Sequence, residues 1–184
     1  MTPSYQPRIG LDEWGLRLAE ATAARSTCLR RSVGCVLLDR HGMVVATGYN
    51  GVPKGAIHCN ERTGFEDVVI DEDWDGSPDK SRPVFGHACP GAASASGTDL
   101  HLCNAVHAEQ NAMLQCRTVG LVQTCCVTVS PCVHCVKMLL NTGCRRIVFR
   151  ERYSDASPID AWSKAGRIWV HRPRSGASES NKEA

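Results

Sequence analysis

The chain has 184 residues, 42% of them hydrophobic and 22% charged, with a formal net charge of +2. That size and balance point to one globular domain with volume for a real core, and no run of about 18 apolar residues is present to span a membrane. Eleven cysteines are an odd number, which argues against a fully paired disulfide framework and favours metal binding.

Residues 1–10 read as an N-terminal arm. Pro3 and Pro7 and the lack of an apolar centre do not match a secretory signal, so the expected location is the cytoplasm. Leu11 to Ala24 reads as an amphipathic helix, with Leu11, Trp14, Leu16, Leu18 and Ala21 at helical spacing and Ser26-Thr27-Cys28 ending it. Val33 to Leu38 is a short apolar run with β-branched residues. Asp39-Arg40-His41-Gly42 reads as a turn with His41 exposed, and Met43 to Tyr49 as the returning strand of a hairpin. Gly48 to Gly55 leaves that strand with three glycines and Pro53. It is either a loop shaped for close backbone approach to a ligand or an ordinary connector.

Ile57 to Val106 is too long for a plain connection in a compact domain. Its Asn60–Lys80 stretch holds eight acids against Arg62 and Lys80. Outside that stretch 11 acids face 19 bases, a surplus of +8. A basic body suits an anionic small molecule, a nucleic acid, or a plain solvated surface equally. A run of small residues, Ala92 to Gly97, follows, and His58, Cys59, His87, Cys89, His101 and Cys103 fall in the same region. A loop rich in ligand-type residues is expected to be pinned by a metal.

Ala108 to Cys116 reads as a helix with Ala112, Met113 and Cys116 inward, and Cys125 to Val129 as a buried strand. Pro131 is expected in the first turn of a helix running to Asn141, with Gly143 as its C-terminal cap. Arg145 to Phe149 is a strand, Ile159 to Lys164 a short helix and Arg167 to Val170 a last strand; residues 171–184, rich in Ser, Gly and charge, read as a disordered tail. The order α-β-β-α-β-α-β-α-β predicts an α/β fold: one domain over 11–170, with a five-stranded mixed sheet that begins with a β-hairpin and is covered by helices.

His107-Ala108-Glu109 and, two dozen residues on, Pro131-Cys132-Val133-His134-Cys135 carry the chemistry. His107, Cys132 and Cys135 offer one nitrogen and two sulfurs, the three protein ligands of a catalytic zinc whose fourth position is left for water. Both segments lie at expected helix starts, where the positive helix end favours thiolates. Glu109 is a spare acid and not a ligand. It can take a proton from the activated water and pass it on to a substrate. A structural zinc site has no need of it. His134 is expected to face outward, and Cys35, Cys116, Cys125, Cys126 and Cys144 to be small core residues.

The His-x-Glu and Pro-Cys-x-x-Cys pair resembles the zinc nucleobase-deaminase signature, and the chain is similar to the cytidine deaminase superfamily. Within it, the chain most resembles the dCMP deaminases of bacteria and phages. Four segments carry this: Arg25-Ser26-Thr27-Cys28 with Val33-Gly34, Gly48-Tyr49-Asn50-Gly51 with Pro53 and Gly55, His107 to Ala112, and Ser130-Pro131-Cys132 with Cys135. The resemblance implies a cytidine deaminase-like three-layer α/β/α fold. It implies catalytic zinc on His107, Cys132 and Cys135, with Glu109 as proton shuttle. Asn50 would bond the sugar hydroxyl, backbone groups of Ala108 and Ser130 would read the cytosine edge, and Tyr153 would line the base pocket. Arg31, with Arg25 and Arg30 as rivals, would meet the 5′-phosphate. A second, structural zinc is implied on Cys28, Cys59, Cys103 and Cys89, with His87 or His101 as alternatives to Cys89; it would pin the 57–106 insertion.

The activity so implied is hydrolysis of dCMP to dUMP and ammonia, feeding dTTP synthesis, in the cytoplasm or, for a phage protein, that of its host. A homo-oligomer, with a hexamer favoured, is expected, activated by dCTP with Mg2+ and inhibited by dTTP, without nucleic-acid or membrane partners. An RNA or tRNA base deaminase is a competing reading, but it would want a basic groove with stacking aromatics, and aromatics are 5% of this chain. A non-catalytic zinc-binding regulatory module is the other; an intact Glu109 argues against it.

Overall fold

A computed structural model describes residues 7–63, 86–87, 89–94, 98, 102–153 and 157–174. The greater part of the expected N-terminal arm, the tail from 175, most of the acidic stretch, His101 and part of the small-residue run lie outside the described residues. The elements in order are α1 (Leu11–Ala23), β1 (Gly34–Leu38), β2 (Val44–Tyr49), β3 (Arg62–Thr63), β4 (Gly86–His87), α2 (Ala108–Gln115), β5 (Thr124–Val129), α3 (Val133–Leu140), β6 (Arg146–Glu151), α4 (Ser157–Lys164) and β7 (Ile168–His171). No helix among the described residues is long and apolar enough to cross a membrane.

The chain divides into two compact units. The first, Met1–Ser26, Val33–Asn50 and His107–Ala184, contains the five-stranded sheet in the order β2-β1-β5-β6-β7. The β1 strand is antiparallel to both β2 and β5, whereas β5, β6 and β7 run parallel. This is the mixed, hairpin-first sheet expected from the order of elements.

Its core follows from the two-residue period of a strand. Val36, Leu38, Cys126 and Val148 point one way and meet Leu16 and Ala19 of α1. Cys35, Leu37, Cys125, Val127, Ile147 and Phe149 point the other way and meet Ala112 and Met113 of α2, Val136 and Leu139 of α3, and Trp162 of α4. The result is three layers, with β1, β5 and β6 buried on both faces. The five cysteines expected in the core, Cys35, Cys116, Cys125, Cys126 and Cys144, are all buried.

Three local expectations need correction. In α1 the buried face is Gly15, Leu16, Ala19 and Ala23, while Leu11 and Ala21 are exposed. Leu11 caps the hairpin turn instead, against Gly42. Pro131 is not in a first helical turn: α3 starts at Val133, and Cys132 is its N-cap residue. Gly143 does not close α3 in a left-handed conformation; Asn141 ends the helix. Gly143 is needed because a Cβ there would strike the backbone of Gly120 and Val122, and its N–H bonds the Val119 carbonyl at 3.0 Å.

An ion network seen only in three dimensions fastens α1 to β6 and to the segment that follows β7. Arg150, 6% exposed, bonds Glu20 at 2.9 Å and Glu13 at 3.0 Å. Arg146 pairs with Asp12, and Arg172 and Arg174 join Asp12 and Glu20.

The second unit is Thr27–Ser32 with Gly51–Val106. Within it the Gly51 and Val106 backbones form a β-bridge, exchanging hydrogen bonds of 3.2 and 2.8 Å. Within this unit β3 pairs antiparallel with β4, and a 3-10 turn spans Pro90–Ala93.

Candidate active site

His107 is the N-cap residue of α2 and Cys132 that of α3, with Cys135 one turn into α3. Two helix starts therefore aim at one point. The His107 Nδ1 atom lies 3.4 Å from Cys132 Sγ and 3.4 Å from Cys135 Sγ. Equal spacing to the two sulfurs is the arrangement that three ligands of one ion take. A tetrahedral zinc with Zn–S of about 2.3 Å and Zn–N of about 2.0–2.1 Å holds such atoms about 3.6 Å apart. The donor set and its spacing fit that ion. Among the described residues, these three are the one group of His, Cys and acids whose ligand atoms all lie within 4.8 Å of one another.

The two thiols and the imidazole interact directly: a hydrogen bond from Cys135, with His107 beside it, holds Cys132 down at about 3, while that same contact and burial push Cys135 far up. Glu109 lies in the first turn of α2 and is 4% exposed. Burial pushes its carboxyl up to about 7. It is a buried acid beside a ligand set of which it is not a member.

The α2 helix is placed by contacts that sequence reasoning left without a role. The Gln110 side chain accepts the His107 N–H at 2.9 Å, and Asn111 N donates to the His107 carbonyl at 2.9 Å. Asn111 Nδ2 reaches the Tyr49 carbonyl at 2.8 Å. Gly48 of β2 lies directly under α2, where a Cβ would strike Ala108 O and Ala112 N. The signal available in the chain was polarity: Gln110 and Asn111 are amides in a short helix whose other positions are mostly apolar.

Asn50 directly follows β2 and is 8% exposed. Its Oδ1 accepts from Val33 N at 2.8 Å and from Ser26 Oγ at 2.7 Å. An acceptor with two donors must be the carbonyl oxygen, so the amide presents Nδ2 as its donor end. Ala108 and Ser130 are buried. Ser130 donates its N–H to Glu151 O at 2.8 Å and accepts the Tyr153 N–H on Oγ at 2.7 Å. His41 and His134 are exposed, as expected.

All these residues belong to the first unit, as does Arg25; Arg30 and Arg31 belong to the second. The second unit also gathers Cys28, Cys59, Cys89 and Cys103. Cys59 and Cys89 are 1% and 2% exposed. Burial, with Cys89, Cys28 and Cys103 nearby, pushes the Cys59 thiol up to about 12. Against its burial, the backbone N–H groups of Asn104 and Gly91 and the thiols of Cys59 and Cys103 hold Cys89 below its ordinary value. The four lie in one neighbourhood but less tightly than the first group. His58, left unassigned above, is exposed and pairs with Thr27 Oγ1 at 3.2 Å.

Comparison with known proteins agrees with this geometry. The family model for the cytidine and deoxycytidylate deaminase zinc-binding region matches residues 10–151. The chain is 30% identical to the deoxycytidylate deaminase of Saccharomyces cerevisiae over 155 residues, 83% of this chain but 41% of that one. It thus spans about two-fifths of the yeast relatives. It is 36% identical to the deoxycytidylate deaminase of Mycobacterium phage D29 over 140 residues, 75% of this chain and 92% of that one. The corresponding figures for the phage T4 enzyme are 29% over 187 residues, 91% and 93%. Its fold is similar to that of a dCMP deaminase from cyanophage S-TIM5, solved with dCMP and dUMP, at TM-score 0.61 and 23% identity over 91% of this chain and all of that one. With its donor set, its spare buried acid and its three-layer sheet, the chain belongs to the cytidine and deoxycytidylate deaminases, within the deoxycytidylate deaminase family.

Proposed function

We propose that this protein hydrolyses dCMP to dUMP and ammonia. The observation that carries the reading is the buried Glu109 beside the His107–Cys132–Cys135 donor set. The names of the yeast and phage relatives support dCMP as substrate.

Zinc, when bound, supplies a Lewis acid that brings a water's pKa toward about 7. The chain's own groups do the remaining work. With its carboxyl at about 7, Glu109 is poised to both accept and give a proton near neutral pH. It takes a proton from the attacking water, gives it to the cytosine ring nitrogen, and then moves a second to the departing amine. A carbon–oxygen bond forms, the carbon–nitrogen bond breaks, and ammonia leaves.

The Ala108 N–H is at the open start of α2, where backbone donors lack helical partners. The Ser130 N–H is taken by Glu151, so its carbonyl is the group that reads the base. Tyr153 lines the base pocket, and Asn50 addresses the sugar hydroxyl through Nδ2. Of the arginines expected near the 5′-phosphate, Arg25 shares the unit that holds these groups.

The same reading includes dUMP supply for dTTP synthesis in the cytoplasm, control by Mg2+–dCTP and dTTP, and a second, structural zinc on Cys28, Cys59, Cys89 and Cys103. It also includes a homo-oligomer, supported by Leu114 and Leu121, 76% and 63% exposed. The test is loss of the cytosine ultraviolet band when zinc-replete protein meets dCMP, with and without Mg2+–dCTP, alongside zinc analysis. Turnover with two zincs per chain, falling to one in Cys89→Ser, is expected. No turnover of dCMP by protein carrying its zinc would overturn the substrate assignment.

A further inference from the structure

Asn50 is held more firmly than a loop residue needs to be. Val33 brackets it with both backbone groups, donating its N–H to Oδ1 at 2.8 Å and accepting the Asn50 N–H at 3.1 Å. The Ser26 hydroxyl lies 2.7 Å from Oδ1 and 2.9 Å from the Asn50 main-chain carbonyl. One residue back, the Tyr49 carbonyl accepts from Asn111 Nδ2 at 2.8 Å. Asn111 is in turn one helical turn beyond His107, whose carbonyl receives its N–H. Four segments distant in sequence thus converge on the end of β2: the exit of α1, the entry to β1, β2 itself and the start of α2.

We infer that Ser26 and Asn111 are positioning residues for the sugar contact: Ser26 fixes the rotation of the Asn50 amide, and Asn111 fixes its distance from Glu109. The inference rests on the deaminase reading above and deepens it. A second donor on Oδ1 defines the amide plane, and so the direction in which Nδ2 points. Asn111 joins the strand that carries the sugar contact to the helix that carries His107 and Glu109. A nucleotide held at its sugar is thereby registered against the proton-transfer group, which is the geometric requirement for rate.

The experiment compares kcat/KM for dCMP with that for 2′,3′-dideoxy-CMP, which lacks the sugar hydroxyl, in zinc-analysed protein. In the wild type the ratio favours dCMP, and in Asn50→Ala it falls to about one. Ser26→Ala is expected to lower the ratio about five- to tenfold, the worth of one hydrogen bond. Ser26→Thr keeps the hydroxyl and restores it. Asn111→Leu is expected to lower the ratio similarly, lowering kcat for dCMP more than it raises KM, with one zinc still on His107, Cys132 and Cys135. A merely structural role for either residue would lower both substrates' rates together and leave the ratio unmoved.

If Ser26→Ala and Asn111→Leu keep the wild-type ratio while Asn50→Ala loses it, the inference is overturned and the sugar reading stands. If Asn50→Ala keeps the ratio, the sugar reading falls and takes the inference with it. If zinc-loaded wild type turns over neither nucleotide, the deaminase reading itself falls. Should Asn111→Leu fail to fold, the Ser26→Ala and Ser26→Thr pair decides the matter alone.

Discussion

Gly48→Ala is a one-carbon change that should separate fold from function. The added Cβ would land within van der Waals distance of Ala108 O and Ala112 N, both backbone atoms of α2. Neither can rotate away as a side chain could. To reach ordinary contact, the first turn of α2 must withdraw by on the order of 1 Å, and a shift of that size at a reacting group costs about a hundredfold in rate. His107 and Glu109 travel with that turn. Overpacking of this kind also costs about 1–3 kcal/mol of stability, or about 2–4 °C in Tm per kcal/mol for a chain this size.

Gly15→Ala is the control. Its Cβ meets Cys126 and Leu38 side chains on the opposite face of the sheet, so it should lower Tm and leave kcat/KM per folded molecule near wild type. The assay is steady-state dCMP turnover normalised to folded, zinc-bearing protein. Gly48→Ala activity within about threefold of wild type would refute the claim that the β2–α2 contact sets the position of the site.

Three further outcomes are expected. Glu109→Gln should retain zinc, read by metal analysis, yet lose about 10²–10⁴ in kcat, since a positioned general acid–base contributes that much; retained activity would sink the proton-shuttle role. Cys132→Ser should lose zinc from the His107–Cys132–Cys135 set and abolish turnover, and activity surviving in metal-free protein would refute the metal centre. The third concerns acid. Hydrogen bonds from Arg150 and then Arg17 hold Glu13 down at about 2, against an ordinary 4.5. Between those values the folded protein binds fewer protons than the unfolded chain, so the ion network's contribution is complete above about pH 4.5 and is lost as pH falls toward 2. Urea melts at pH 3 and pH 7 should show a smaller difference in Arg150→Met than in wild type; an unchanged difference would show that the network does not set acid stability.

Much of this protein is legible in its sequence because the relevant physics is local. Apolar periodicity located the strands and helices of the first unit to within a residue or two. The ligand spacing Cys132-x-x-Cys135 places two sulfurs on one turn, and His107-x-Glu109 separates a ligand from an acid. Such patterns are set by 3.6- and 2-residue repeats and by the chemistry of the side chains. The misses are equally instructive. Leu11 and Ala21 have helical spacing but lie outside the buried face of α1, because the sheet selects the face that lets Gly15 and Ala19 approach it. Gly143 looks like a helix cap and is instead a place where two backbones touch.

Only tertiary structure decided how the pieces register. The Ser26–Asn50–Val33 cluster, the Asn111–Tyr49 bond, the Gly48 contact and the Arg150 network join residues from 17 to 160 positions apart. A single sequence carries no periodicity for such contacts. They exist because three layers must bury their apolar faces at once, and the polar groups left at the seams must then find whatever partner the packing brings. The sequence by itself determined which reactive groups are present, His107, Glu109, Cys132 and Cys135; packing between the layers decided where those groups stand.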